Sequence, residues 1–206
     1  MPSQKQPLRY TKLVPFLTVL ITISLLCLTP AVLAGDTKTK TLISGQGEIG
    51  DRDGANQFSL DGGLTFAPSF IVAPNPAYST IPGTKWISFN ATGDSLVCPG
   101  CGLQRTIYRT HFNLPATATN PGLTVNLFAD NVGAVYVNGI LVGAQPTGSC
   151  PGSCPGSNFQ NPPAVFTDNN ATHFQTGLNV LEFVVDDYGV VRGLNYLATV
   201  TYTVDK

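Results

Sequence analysis

Residues 123–143, which read LTVNLFADNVGAVYVNGILVG, constrain the fold of this chain more than any other stretch. Apolar and polar side chains alternate in its first third, which is the period of a strand with two different faces. Asn138-Gly139 separates two further β-prone runs. An Asn-Gly pair in that position predicts a type I′ hairpin, because both central residues of the turn need a positive φ. The stretch is therefore predicted to be strand, polar turn at Asp130-Asn131, strand, tight hairpin and strand.

Similar short β-prone runs, separated by turn residues, continue along the chain, and no stretch after residue 34 shows a sustained helical period. The chain has 21 glycines and 16 prolines and only two glutamates, a composition typical of an all-β protein with many turns. We therefore predict a two-sheet antiparallel β-sandwich. A polar turn is predicted at residues 51–56. The other predicted strands are residues 39–49, 57–60, 64–70, 85–89, 104–114, 164–167, 178–186 and 195–204.

The N-terminus, residues 1–34, has the pattern of a secretory signal peptide. Three basic residues precede a long apolar run at residues 13–28, and small residues follow before Gly35. Cleavage there leaves residues 35–206 as a single domain and makes the protein secreted, extracellular or attached to the cell surface. A retained membrane anchor is the alternative reading, since the apolar stretch is long enough to span a bilayer.

The charge of the exported part argues against two classes of partner. Three of the 11 basic residues belong to the signal peptide, so eight remain against 12 acidic residues, a net charge of −4. No basic patch is present that would attract a phosphate backbone, so we expect no nucleic acid partner. After signal cleavage we also expect no membrane association.

Four cysteines remain after cleavage, in two close pairs. Cys98 and Cys101 form one pair, and Cys150 and Cys154 form the other. An even set of cysteines in an exported chain predicts two disulfides, whose connectivity the sequence leaves open. A tetrahedral zinc site with four thiolates is the alternative.

No catalytic constellation is apparent in the sequence. The two histidines are His111, in an alternating strand, and His173, in a polar loop. Glycosidase chemistry needs paired carboxylates, but Asp186 and Asp187 are neighbours on a strand and therefore point to opposite faces. We expect a protein that is not an enzyme.

Three motifs resemble those of the galactose-binding-like jelly rolls, a family that includes carbohydrate-binding modules and the sugar-binding domains of family 2 glycoside hydrolases. They are YRTHFNLP at residues 108–115, VYVNG at 135–139 followed by VG at 142–143, and GLNVL at 177–181. The resemblance covers most of the exported chain and implies a jelly-roll sandwich. It is good evidence of fold and weak evidence of activity. The cysteine-bearing insertion before the third motif departs from the family's usual spacing.

Two polar pairs follow predicted strands, Asp130-Asn131 and Asp186-Asp187. If both turns lie at one end of the sandwich, Asp130, Asn131 and Asp186 offer the oxygen ligands that Ca²⁺ prefers. Jelly rolls that resemble this chain often carry a structural calcium, which favours this interpretation. The alternative is that aspartate and asparagine are simply favoured in turns.

A sugar site at the same end would also need an aromatic platform, because the C–H faces of pyranose rings pack on flat rings. The predicted ligand-binding residues are Asp187, Tyr188, Arg192, Tyr78 and Trp86. Trp86 lies in an apolar run, so a place in the core is its alternative. We predict a secreted, non-enzymatic carbohydrate-binding or adhesion domain whose partner is a glycan or cell-surface polysaccharide. The alternative is a self-assembling structural subunit of a fibre, coat or matrix.

Overall fold

The computed structural model describes residues 35–96, 103–147 and 158–205. These residues form an almost entirely β structure, as the composition predicts, with one short 3₁₀ helix at Ala171–His173. The strands are β1 Asp36–Ile43, β2 Arg52–Ser59, β3 Ala67–Val72, β4 Trp86–Ser88, β5 Gln104–Leu114, β6 Ala118–Asp130, β7 Val132–Val137, β8 Ile140–Ala144, β9 Ala164–Asp168, β10 Gly177–Asp187 and β11 Gly193–Val204.

The described strands pair antiparallel throughout and form two layers. One layer has the order β8-β7-β10-β5-β2, and the other has the order β3-β4-β11-β6-β9. Pairing between β2 and β3 joins the two halves. Strand β1 pairs with β11 along its whole length. This architecture confirms the predicted antiparallel sandwich.

The core lies between the two layers. Along β10 every second side chain is buried in this core, as the alternation in the sequence predicted. Leu181, Phe183 and Val185 of β10 are fully buried, as expected for the inward face. The ring of Phe183 lies 4.3 Å from the ring of Tyr196 on β11, although these strands do not pair. Apolar side chains from both layers therefore close the sandwich by burying each other's surface.

The hairpin between β7 and β8 has the predicted type I′ character. Asn138 has a φ of 49° and Gly139 a φ of 81°. The Asn138 side chain also accepts a hydrogen bond from the backbone N–H of Val180 at 2.9 Å and donates one to the carbonyl of His173 at 2.9 Å. The turn is therefore fixed both by its own backbone preference and by contacts to the strand beside it.

The predicted polar turn at residues 51–56 is wrong, because most of it belongs to β2, Arg52–Ser59. Asp53 is fully buried there. Its carboxylate accepts hydrogen bonds from the N–H of Gly45 and the side-chain amide of Asn56, both at 2.8 Å. These donors satisfy the buried charge, so a polar segment is able to enter the sheet, with a register shift after Asp53.

Two sets of predictions lie outside the described residues. They are the signal peptide, residues 1–34, and the pairing or zinc binding of Cys98, Cys101, Cys150 and Cys154. Within the ranges that the structure covers, none of the helical structure has the length and apolar character needed to cross a bilayer.

Gly143 of β8 allows the open sides of the two layers to approach each other. A Cβ atom at this position would overlap the ring of Phe166 on β9. We expect Gly143→Val to lower the free energy of unfolding by about 1–3 kcal/mol, because an aromatic ring in a packed edge has little room to move. Urea unfolding measures the change. Ala144→Val, at an exposed position of the same strand, should change it by less than about 0.5 kcal/mol, and equal losses in both variants would contradict this explanation.

Candidate functional site

The structure brings together the two polar turns that the sequence singled out. The N–H of Asn131, after β6, donates to the carbonyl of Asp186 at 3.0 Å. The side-chain oxygen of Asn131 accepts a hydrogen bond from the N–H of Tyr188, after β10, at 2.8 Å. Asn131 therefore ties the end of one layer to the end of the other, and the turns share one end of the sandwich.

Asp130 lies inside this end and is 3% exposed. Its carboxylate accepts hydrogen bonds from the Tyr78 hydroxyl and from the Asn131 amide. The pKa of Asp130 is raised to about 7, chiefly by burial; the hydrogen bond from Tyr78 lowers it, and the nearby Asp187 charge raises it. Asp130 is therefore partly protonated near neutral pH.

Asp187 and Arg192 are also interior groups. Asp187 is fully buried and accepts hydrogen bonds from the Ser95 hydroxyl at 2.5 Å and the Gly189 N–H at 2.9 Å. Arg192 is 1% exposed, and its guanidinium lies over the Phe89 ring, 4.5 Å from the ring centre. Burial lowers the pKa of Arg192. Asp187 is not placed to contact a ligand at the surface, whereas Arg192 lines a small cavity and its three guanidinium nitrogens have no hydrogen-bond partner within the described residues.

Trp86 is fully buried, which corrects its assignment as a ligand platform. Its ring packs 4.2 Å from the Tyr78 ring and 6.4 Å from the Phe128 ring, and its indole N–H donates to the carbonyl of Ser79 at 3.0 Å. Tyr78 and Phe128, which come from distant parts of the chain, cover its ring in place of a sugar. The core alternative for Trp86 is the correct one.

A small cavity of about 90 Å³ lies beside Tyr78 and Arg192. Ligand pockets usually have volumes of about 300 Å³ or more. Tyr78 is half-buried, and its hydroxyl is already committed to Asp130. The inner group of Tyr78, Asp130, Asp187 and Arg192 is therefore better described as internal support for the end of the sandwich than as a sugar site.

Asp186 points to the opposite face of β10 from Asp187. Its carboxylate accepts two parallel hydrogen bonds from Arg105 on β5, at 2.7 and 2.9 Å. This separates Asp186 from Asp130, so the predicted calcium set of Asp130, Asn131 and Asp186 does not converge. Across the described ranges, no three His, Cys, Asp or Glu side chains are grouped as metal ligands. Calcium binding stays a prediction without a ligand set in these residues.

A larger cleft of about 260 Å³ lies on the outer face of the β7-β10-β5 layer, and Asp186 belongs to it. Arg105 and Tyr136 also line this outer cleft, and small apolar side chains lie between them, Ile107, Ala134 and Val184. Val184 is the cross-strand partner of both Ala134 and Ile107, so the three form one row across the layer.

Arg105 of the outer cleft interacts electrostatically with two tyrosines, Tyr136 and Tyr188. The hydrogen bonds and charge of Asp186 raise the pKa of Arg105 most, and Tyr136 and Tyr188 raise it further. Tyr188, a predicted ligand-binding residue, lies two residues after Asp186 and is not among the residues that line the outer cleft. Sequence reasoning missed Arg105 and Tyr136. The alternation of buried and exposed residues along β5 and β7 could have identified them, because it puts Arg105 and Tyr136 on the face opposite the core.

Comparisons with known proteins do not show which family this chain belongs to. No family model and no curated protein matches this sequence. Among solved structures, a β-D-glucuronidase from Dictyoglomus thermophilum is 17% identical over 81% of this chain, with a TM-score of 0.41. A family 35 carbohydrate-binding module from Clostridium thermocellum is 11% identical over 78% of this chain, with a TM-score of 0.41.

The chain spans 28% of the length of that glucuronidase and 97% of that carbohydrate-binding module. At these identities and TM-scores the likeness carries no argument about the fold, ligand or activity of this chain. The motifs and the two-layer antiparallel architecture together agree with a galactose-binding-like β-sandwich.

Proposed function

We propose that this chain is a non-catalytic carbohydrate-binding domain and that the outer cleft binds the glycan. The observation that carries the proposal is the combination of Tyr136 with the bidentate pair of Arg105 and Asp186 around an apolar floor. The tyrosine ring offers a flat face to C–H groups. The paired side chains offer hydrogen-bond donors and acceptors side by side, which suits hydroxyl groups because each hydroxyl both donates and accepts.

The size of the cleft suggests what part of a glycan it takes. Its volume of about 260 Å³ is near the lower end of ligand pockets. We therefore expect it to hold one sugar ring, or the end of a longer chain, rather than an extended polysaccharide.

The non-catalytic part of the proposal is supported by the residues that line the cleft; the nearby Glu182, the cross-strand partner of Tyr136, lies beside the cleft and does not line it. Among the described residues that line it, Asp186 is the only acid, and Arg105 already occupies its carboxylate. Hydrolysis of a glycosidic bond ordinarily uses two carboxyl groups on opposite sides of the bond. Action outside the cell rests on the predicted signal peptide, and a structural subunit stays the alternative.

A glycan array followed by calorimetry on the best ligand tests the proposal. We expect Tyr136→Ala to weaken binding about tenfold, because loss of ring packing costs about 0.5–1.5 kcal/mol and a tenfold change corresponds to about 1.4 kcal/mol. Arg105→Gln should weaken binding as well, since the bidentate pair is lost.

Two variants serve as matched controls. Tyr136→Phe keeps the ring and should retain most of the affinity, and Arg52→Gln changes an arginine that stacks on Phe70 away from the cleft. Folded protein that binds no glycan, or a Tyr136→Ala variant that binds as tightly as the parent chain, would refute the proposal.

A further inference from the structure

The small cavity beside Arg192 lies between the end of β3, the loop of residues 73–78, the loop at residues 92–93 and the start of β11. Three apolar and three polar side chains form its walls: Val72, Ala73, Val191, Asn75, Tyr78 and Thr92. Ala73 and Thr92 are exposed, whereas Arg192 is buried. The cavity therefore opens to solvent at its rim and has a guanidinium at its base.

This guanidinium is buried without a hydrogen bond. Arg192 is 1% exposed, and its three side-chain nitrogens have no hydrogen-bond partner within the described residues. Tyr108 and Asp187 interact with it electrostatically, but neither meets the geometry of a hydrogen bond to it. Buried polar groups are nearly always hydrogen-bonded, because an unpaired group loses its hydration without a replacement. The N–H donors of Arg192 are thus left for a molecule that enters the cavity.

The backbone and an aromatic ring hold Arg192 in place. Its backbone N–H donates to the carbonyl of Gly93 at 2.8 Å, and the preceding Val191 pairs with Asp94. Its guanidinium lies 4.5 Å from the centre of the Phe89 ring, which is itself buried. The donors are therefore fixed before a ligand arrives, so binding costs little ordering entropy.

The other polar groups of the cavity leave donors rather than acceptors. The side-chain oxygen of Asn75 already accepts from the N–H of Ala77 at 2.9 Å, so its NH₂ group is the part left to donate. The Tyr78 hydroxyl donates to Asp130. Among the described residues that line the cavity, Arg192 is the one charged side chain. A negatively charged group that only accepts hydrogen bonds complements this set.

The two nearby acids do not take this role. Asp187 accepts from the Ser95 hydroxyl and the Gly189 N–H, and Asp130 accepts from Tyr78 and Asn131. Neither carboxylate lines the cavity. Burial lowers the pKa of Arg192, and Asp187 opposes that effect, but an arginine side chain stays protonated in proteins. Arg192 is therefore a cation able to hold a further anion.

The size of the cavity restricts that anion. A volume of about 90 Å³ holds a few water molecules and is too small for a sugar ring. A phosphate dianion would meet a single cation there. A carboxylate carries one charge, is planar, and places two acceptor atoms opposite the guanidinium fork. We propose that the cavity binds the carboxylate group of a small organic acid such as formate or acetate, independently of glycan binding in the outer cleft.

Parallel titrations of the full chain with sodium formate, sodium acetate and sodium chloride test the proposal. We expect the Arg192 Nε–H resonance to shift and level off with formate and acetate. The melting temperature should rise with the logarithm of their concentration, because a ligand that binds only the folded state stabilises it by mass action. Acetamide has the shape of acetate without its charge, and benzoate is too large for the cavity, so both should leave the resonance in place.

Two variants remove the site in different ways. Arg192→Gln removes the charge and the fork and should weaken binding at least tenfold, the loss expected for charge-assisted hydrogen bonds. Ala73→Leu fills the cavity from its exposed rim, keeps Arg192 and should weaken binding as strongly, so the test does not depend on a change in the interior. Arg52→Gln makes the same exchange at an exposed arginine and should bind as the parent does. Melting curves without ligand establish that each variant is folded.

The proposal fails if the Arg192 resonance does not move in formate or acetate, since water alone would then fill the cavity. An equal shift with chloride would mean that the cavity recognises charge and not a carboxylate. An equal shift with acetamide would mean that it recognises shape and not charge. Equal rises of the melting temperature in the parent chain, Arg192→Gln and Ala73→Leu would show that the anions act elsewhere on the protein.

Discussion

Replacing Trp86 with alanine is expected to lower the free energy of unfolding by about 3–5 kcal/mol. Trp86 is fully buried, and its ring fills the space between Tyr78 and Phe128. The close approach of Gly193, where a Cβ atom would lie 2.8 Å from the indole ring, shows that the surrounding backbone is shaped to this side chain. Because a backbone of this kind collapses poorly around a cavity, we expect most of the cost to remain after relaxation.

Chemical denaturation of the variant and the parent chain measures this effect. Leu64→Ala is the matched control, since Leu64 is 85% exposed and its truncation should change stability by less than about 0.5 kcal/mol. Trp86→Phe should retain part of the packing but leave the Ser79 carbonyl without its donor. If Trp86→Ala lowers the free energy of unfolding by less than about 1 kcal/mol, the packing of Trp86 with Tyr78 and Phe128 does not stabilise the fold.

The second large effect is a dependence of stability on pH through Asp130. Burial raises the pKa of Asp130 from its usual value of 3.8 to about 7 in the folded protein. A raised carboxyl pKa means that the folded state binds the proton more tightly than the unfolded state. The resulting stabilisation is fully present below about pH 4 and is lost as the pH rises through 7.

We therefore expect the free energy of unfolding to fall between pH 4 and pH 7 by about 3 kcal/mol more in the parent chain than in Asp130→Asn. The difference between the two chains isolates Asp130, because His111, whose pKa burial lowers, titrates in both. Denaturant unfolding at a series of pH values measures it.

Asp61→Asn is the control for this prediction. Hydrogen bonds from Ser59 and Thr65 hold the pKa of Asp61 well below its usual range, so Asp61 stays ionised between pH 4 and pH 7. Its replacement should leave the slope over that window unchanged. If the free energy of unfolding changes with pH equally in Asp130→Asn and in the parent chain, the pKa of Asp130 is not raised in the folded protein.

Much of the fold follows from local patterns. The strand predicted at residues 104–114 coincides with β5, Gln104–Leu114, and the Asn138-Gly139 turn lies where the positive φ values require it. Alternation and turn chemistry act over a few residues, so they are readable from the chain alone. One exception is residues 51–56, where a hydrogen bond to Asp53 from the N–H of Gly45, eight residues earlier, overrides the turn preference.

The candidate site was predictable only in part. The predicted calcium site required the turns after Asp130 and Asp186 to lie at one end of the sandwich, and a hydrogen bond between Asn131 and Asp186 joins them. It did not indicate that Arg105, which lies 81 residues before Asp186, takes that carboxylate as its partner. Cross-strand pairing of this kind depends on register between distant segments, which no local pattern specifies.

By itself, the sequence determined an antiparallel β-protein with a type I′ hairpin and two polar turns at strand ends, because these features depend on side-chain alternation and backbone preference. Only the tertiary structure decided which polar groups are buried and which face solvent. It placed Trp86 and Arg192 inside and Asp186 in the outer cleft. The physical reason is that burial and register arise when two layers pack together, and packing depends on residues that are far apart in the chain.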